Sequence, residues 1–230
     1  MRKIKAAPVI IFTFIFSTSL VLAIITTTSL FHFIPLGDFR GITFVAAAVF
    51  FLYIYAIFFY RLFLCVIPLR EGYFEEGSHE EFGYHVYLLF YLIMFYPLTR
   101  SKFIPVPLMR VVYLALGAHL GPNTYSSGTI LDPPLTFIGA NTIIGQDAVL
   151  FSHAIEGRHL SHASIRIGDD VTIGANCVIM SGVSIGDGAV VGSCALVLKD
   201  TQIKSGEVWG GVPAHRLRSG IQNEKTIHFQ

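Results

Sequence analysis

From Ile167 onward a branched aliphatic residue returns at every sixth position: Ile167, Ile173, Ile179, Ile185, Val191, Val197 and Ile203. The next position is glycine at Gly168, Gly174, Gly186 and Gly192, and four places after each aliphatic stand small residues such as Val171, Cys177, Val183, Ala189, Ala195 and Thr201. Upstream the same frame gives Ile138-Gly139, Ile144-Gly145 and Leu150, with Thr142, Ala148 and Ala154 four places on. A helix repeats every 3.6 residues and a half-buried strand every two, so neither explains a period of six. Hexapeptide periodicity predicts a parallel β-helix, one short strand and one turn per repeat. The aliphatics stack coil on coil at about 4.8 Å, and glycine is expected to supply a positive φ at the corner. Each coil is stable only on its neighbours, so the ends need caps. These are expected in LMRVVYLALGAHLG and in VWGGVPAHRLRSG, giving a solenoid domain over 116–218 and a tail over 219–230.

The N-terminal half follows another pattern. No Asp, Glu, Lys or Arg occurs between Lys5 and Asp38, and a second charge-free run lies between Arg40 and Arg61. Each exceeds or matches the ~20 apolar residues that cross a bilayer, so residues 1–70 are expected to form two transmembrane helices. The first run is longer than a signal-peptide core and no A-x-A site follows it, which points to an uncleaved anchor. Arg2, Lys3 and Lys5 flank one end and Arg61 and Arg70 the other, while the connection between the runs carries only Arg40. The excess of positive residues on the cytoplasmic side then puts both termini in the cytoplasm. A third oily stretch, Phe82 to Leu98, is rich in Tyr and Phe, barely long enough to span, and followed by Arg100, Lys102 and Arg110. Residues 71–115 are therefore expected to be an interfacial or re-entrant helical segment.

Composition agrees: 53% hydrophobic residues, 13% charged and a mean hydropathy of +0.63 are far from a soluble domain, whose charged fraction is about a quarter. A net charge of +1 without a Lys/Arg cluster interleaved with aromatics excludes a nucleic-acid partner. Cys65, Cys177 and Cys194 have neither metal-ligand nor disulfide spacing.

The repeat breaks in DAVLFSHAIEGRHLSHASIRIGDD, Asp147 to Asp170. Leu150 and Ile167 are seventeen residues apart, two repeats and five, which predicts a loop leaving the solenoid at His153. Loops on rigid scaffolds display reactive groups, and imidazole is the side chain best poised to take a proton at neutral pH. Asp132, Asp147 and Glu156 are the carboxylates able to fix its tautomer, and Glu156 is the expected partner. His159 and His162 complete a set of three imidazoles, but all three crowd one irregular loop, so no metal is expected.

The repeats ending in GEVWGGVPAHRL, with Gly211-Val212-Pro213-Ala214, resemble the hexapeptide-repeat acyltransferases. LGAHLG, LFSHAIEGRHL and VWGGVPA beside membrane helices are similar, more narrowly, to the C-terminal acyltransferase-like domain of some amino-acid-polymer synthetases. The resemblance implies a parallel left-handed β-helix, against the general right-handed preference of crossovers. It also implies an acyl coenzyme A donor, His153 as general base, and a homotrimer with sites between solenoids. Gly174, Ala175, Ser181, Gly182 and Ser193 would then neighbour the pantetheine arm, and Lys199, Arg216 and Arg218 the phosphates. A backbone amide near Ser181 or Gly182 would serve the oxyanion, and Trp209 would cap the core. The expected function is a membrane-anchored acyltransferase, moving acetyl foremost, to a hydroxyl or amine of a lipid-linked glycan or other membrane-associated acceptor. Two readings stay open beside it: a non-catalytic scaffold of a membrane complex, and a zinc hydratase like the β-helix carbonic anhydrases, whose histidines lie in regular repeats.

Overall fold

The computed structural model describes residues 4–219 other than Phe33, Leu36, Lys102 and Arg158. Arg2, Lys3 and the expected tail beyond Ser219 lie outside the described residues. Contacts divide the chain into two units, Met1–Arg70 with Phe74–Leu98, and Glu71–Tyr73 with Thr99–Gln230.

In the first unit α1 (Ala6–Phe31) and α2 (Arg40–Val66) take up the two charge-free runs. Most of their large apolar side chains face outward, among them Phe14, Ile42 and Val45. α3 (His79–Phe90) continues through a π-helical turn, Tyr91–Phe95, into α4 (Tyr96–Arg100). Ser78 caps α3 by accepting from the Glu81 amide at 3.1 Å, and the Glu81 carboxylate accepts from the Gly77 amide at 2.6 Å, so both capping groups are used. Phe12, Tyr60, Tyr87, Phe90 and Phe95 form the interior, with edge-on ring contacts at 5.1 Å for Phe12–Phe90 and for Tyr60–Phe95. The segment expected to be an interfacial or re-entrant helix contains a continuous helical stretch of 22 residues, His79–Arg100, long and apolar enough to cross a membrane, as are the two others. It is less apolar than they are because its Tyr and His residues serve the interior of the unit, where over half of its apolar window is buried.

The second unit is a parallel β-helix of three faces. The first face stacks His119–Leu120, Thr136–Ile138, Ile165–Ile167, Ser184–Ile185 and Gln202–Ile203. The second stacks Tyr125–Ser126, Ile143–Ile144, Thr172–Ile173, Val190–Val191 and Val208–Gly210. The third stacks Thr129–Ile130, Val149–Leu150, Val178–Ile179 and Leu196–Val197. The repeat's aliphatics pair in register as Ile138, Ile167, Ile185 and Ile203 on the first face, and all are buried. One coil is therefore 18 residues, as from Ile167 to Ile185. α5 (Val106–Leu116) closes the lower end with Met109 and Tyr113. The Tyr113 hydroxyl donates to the Gly128 carbonyl at 2.9 Å and accepts from the Ile130 amide at 3.2 Å. Burial pushes this phenol up to about 12. At the upper end Val208–Gly210 pairs antiparallel with His215–Arg218 across the cis Val212–Pro213 bond. Buried Glu207 accepts there from Trp209 Nε1 at 2.8 Å and from Arg216 at 3.1 Å.

The corners differ from expectation in one respect. Positive φ falls on the third residue after the aliphatic, at Asp170 (56°), Asn176 (57°), Gly188 (64°) and Cys194 (61°), rather than on the glycine that follows it. Asp and Asn tolerate this left-handed region because their short polar side chains bond locally. The glycine answers another constraint. A Cβ on Gly174 would lie 2.4 Å from the Ser193 amide nitrogen of the next coil, so the close approach of coils admits no side chain there. Gly188, in contrast, has open space around its Cβ direction. Gly174→Ala should therefore destabilise the protein by at least about 2 kcal/mol, whereas Gly188→Asn should stay within ~0.5 kcal/mol of wild type. Denaturant or thermal unfolding of the detergent-solubilised chain measures both, and equal effects would contradict this account of the corners.

Candidate active site

The excursion leaves the corner between the third and first faces. Ile138 pairs with Ile167, 29 positions on, whereas Ile167 pairs with Ile185, 18 on; the difference of 11 residues is the insertion. The seventeen residues from Leu150 to Ile167 are thus one regular repeat and these eleven. The insertion is not an open loop. His153–Glu156 and His159–His162 form an antiparallel hairpin in the register His153↔His162, Ala154↔Ser161, Ile155↔Leu160 and Glu156↔His159. At its root the Ala163 amide donates to the Ser152 carbonyl at 2.9 Å, and the Gly182 amide of the next coil to the Ala163 carbonyl at 3.1 Å.

Directly beneath this root, in the preceding coil, the same corner carries Asp132 and the short 3-10 turn Pro133–Leu135. Asp132 is 1% exposed, a costly position for a carboxyl unless it is bonded. Its Oδ2 accepts from the Ser152 amide at 2.8 Å, the His153 amide at 3.1 Å and His153 Nδ1 at 2.7 Å. Burial pushes the Asp132 carboxyl up, but the hydrogen bond from His153, the positive fields of His153 and His162 and the Ser152 amide outweigh it and hold the group below its ordinary value. For His153 burial pulls downward, and the bond and charge of Asp132 prevail, raising the imidazole above 6.5. An ionised carboxylate has no proton to donate, so Nδ1 carries the hydrogen and Nε2 keeps its lone pair. His153 is partly exposed, with 24% of its side chain accessible, which is what a proton acceptor on a scaffold requires.

The other expected residues separate into groups. Glu156 does not meet His153. It is exposed near the hairpin's far end and pairs with Lys199 at 3.4 Å, because the antiparallel pleat carries it three residues beyond the root. Asp147 takes a corner position with φ of 58°. His159 is exposed and His162 buried opposite His153. Among the described residues no three His, Cys, Asp or Glu side chains are grouped to hold a metal. Gly174, Ala175 and Ser193 share the corner between the second and third faces on successive coils, and Ser193 is exposed. Ser181 and Gly182 sit at the hairpin's own corner, where Ser181 is fully buried and the Gly182 amide already serves Ala163. Lys199 is engaged with Glu156, and its ammonium lies 5.6 Å from the centre of the Tyr73 ring. Arg216 is tied to Glu207, and Arg218 is exposed on the same closing strand. Asp132 had a weak signal in the sequence: it precedes Pro133-Pro134, which interrupts the hexad in the coil below the break.

Residues 164–199 match the family described as bacterial transferase hexapeptide (six repeats). No curated protein matches the sequence. Among solved structures, a hexapeptide-repeat acetyltransferase of Vibrio cholerae O1 biovar eltor, complexed with acetyl coenzyme A, is 30% identical over 45% of this chain and 60% of its own, with a TM-score of 0.41. A maltose O-acetyltransferase from Clostridium difficile 630 is 25% identical over 47% of this chain and 62% of its own, with a TM-score of 0.42. The chain thus spans about three fifths of the length of these two proteins. A galactoside acetyltransferase in complex with coenzyme A is 24% identical over 70% of this chain and 92% of its own, with a TM-score of 0.52. Residues 164–199 thus match the bacterial transferase hexapeptide family, and the chain has a hexapeptide-repeat acetyltransferase fold, with parallel sheets preceded by N-terminal apolar helices.

Proposed function

We propose that this chain is a membrane-anchored acyltransferase that moves an acyl group, acetyl foremost, from coenzyme A to a hydroxyl or amine of a lipid-linked glycan or other membrane-associated acceptor. The observation that carries the reading is the 2.7 Å contact between His153 Nδ1 and buried Asp132 at the root of a hairpin leaving the solenoid. The transferase repeat at 164–199 and the fold shared with a coenzyme A-bound acetyltransferase support the donor. The solenoid is taken as left-handed and trimeric, with sites between neighbouring copies, as in the family it resembles. The anchor favours an acceptor that reaches the site along the bilayer.

The chemistry follows from the pair. Nε2 of neutral His153 takes the acceptor proton while the acceptor oxygen or nitrogen bonds to the thioester carbon. Asp132 fixes the tautomer and stabilises the imidazolium that forms. As the tetrahedral oxyanion collapses, the carbon–sulfur bond breaks, and the imidazolium returns its proton to the leaving coenzyme A thiolate.

His153→Ala should lower release of coenzyme A thiol by about two to four orders of magnitude. The base must be neutral, so wild-type kcat/KM should rise with pH through a midpoint above 6.5, the raised pKa of His153. Asp132→Asn removes the bond and charge that raise it, so its midpoint should move to lower pH with a reduced plateau. A wild-type level of turnover in His153→Ala would refute His153 as the base, whereas no thiol release from the wild-type protein would favour the scaffold reading.

Thiol release by the detergent-solubilised protein should depend on a lipid-linked acceptor, and mass measurement in mild detergent should give three copies. Equal turnover with free sugars, or a monomer, would contradict the corresponding part of the reading. The cytoplasmic placement of the solenoid requires that His79–Arg100 not cross the bilayer. Thiol labelling of Cys194, exposed in the solenoid, by an impermeant reagent should then need broken cells.

A further inference from the structure

The hairpin that carries His153 has a third strand, and it comes from a remote part of the chain. Gly72–Phe74 lies beside His159–His162 in the order Gly72–Phe74, His159–His162, His153–Glu156. Two-stranded hairpins are marginal in water, and a third strand is what gives such a sheet independent stability. Asp132 holds the root of this hairpin through the Ser152 and His153 amides.

Residues 71–73 fasten the hairpin at both ends. At the root, the Glu71 carboxylate accepts a hydrogen bond from buried Ser164, just past the hairpin, and lies 3.8 Å from the Arg166 guanidinium. Arg166 is itself placed by the first face, its guanidinium 4.7 Å from the centre of the Phe137 ring. Near the tip, the Lys199 ammonium sits over Tyr73 at 5.6 Å and bonds to Glu156 at 3.4 Å, joining strap, hairpin and the fourth coil through one cation. Both strap side chains are largely exposed, Glu71 at 53% and Tyr73 at 71%. Exposed ion pairs contribute little to global stability, so the effect of these contacts falls on the geometry of the hairpin. The strap follows α2 in the chain after only residues 67–70.

We infer that Glu71 and Tyr73 are positioning residues for the hairpin bearing the catalytic base, an inference that rests on the acyltransferase reading. They act by holding the strand His159–His162, whose His162 stands opposite His153, against the edge of the sheet. Lys199 takes part in this clasp through Glu156 and Tyr73.

The test uses the full chain in mild detergent. In Glu71→Ala and Tyr73→Ala, kcat should fall about tenfold while KM for acetyl coenzyme A stays within about twofold, since a displaced base costs rate and leaves donor binding intact. Amide hydrogen exchange should quicken across 153–162 and remain at wild-type rates across 172–203. Glu71→Gln retains an acceptor for Ser164 and should recover most of the rate and of the exchange protection. Wild-type kcat with wild-type exchange in both alanine variants overturns the proposal, as does exchange that quickens equally in 172–203. The exchange readout needs no turnover, so it decides the strap even if no acceptor is acylated and the acyltransferase reading falls.

Discussion

Every coil must return to the same place above the last. Backbone amides and carbonyls of one coil find most of their partners on the neighbouring coils, as in Gly139 to Ile167 and Gly168 to Ile185, each 2.8 Å. A buried backbone group left without such a partner is costly. Inside the prism the columns are mainly aliphatic. This constraint confines insertions to the corners, and it makes corner residues of successive coils stand directly over one another.

The Asp132–His153 pair is a product of that stacking. The first coil lengthens its corner with Asp132 and two prolines, and the second extends a hairpin from the same corner. Oδ2 of Asp132 then meets three donors at once. Those bonds offset the desolvation of a fully buried carboxylate, keep it ionised, and through it set both the tautomer and the raised pKa of the imidazole. A carboxylate farther along the hairpin lacks this placement, and Glu156 is drawn instead to Lys199. Glycines after the aliphatics serve the same stacking, since a methyl on Gly174 would collide with the coil above it.

The strap shows how residues outside the repeat are drawn into the site. Three residues that follow an apolar helix complete the sheet of the hairpin through one carboxylate and one aromatic ring. α1 and α2 leave apolar exteriors that suit lipid, while the longer run through α3 and α4 turns its tyrosines and phenylalanines inward.

The amino-acid sequence alone determined the features that repeat or run on locally. A period of six disclosed the parallel β-helix and its inward columns, charge-free runs disclosed α1 and α2, and the lapse in the period marked the departure at His153. Each of these is written in neighbouring residues, so one dimension suffices to read it. Tertiary structure decided which groups meet. Asp132 lies 21 positions before His153, and Glu71 lies 93 before Ser164. Those encounters depend on how coils stack and on which edge of the hairpin was open, and neither separation is a multiple of any local period.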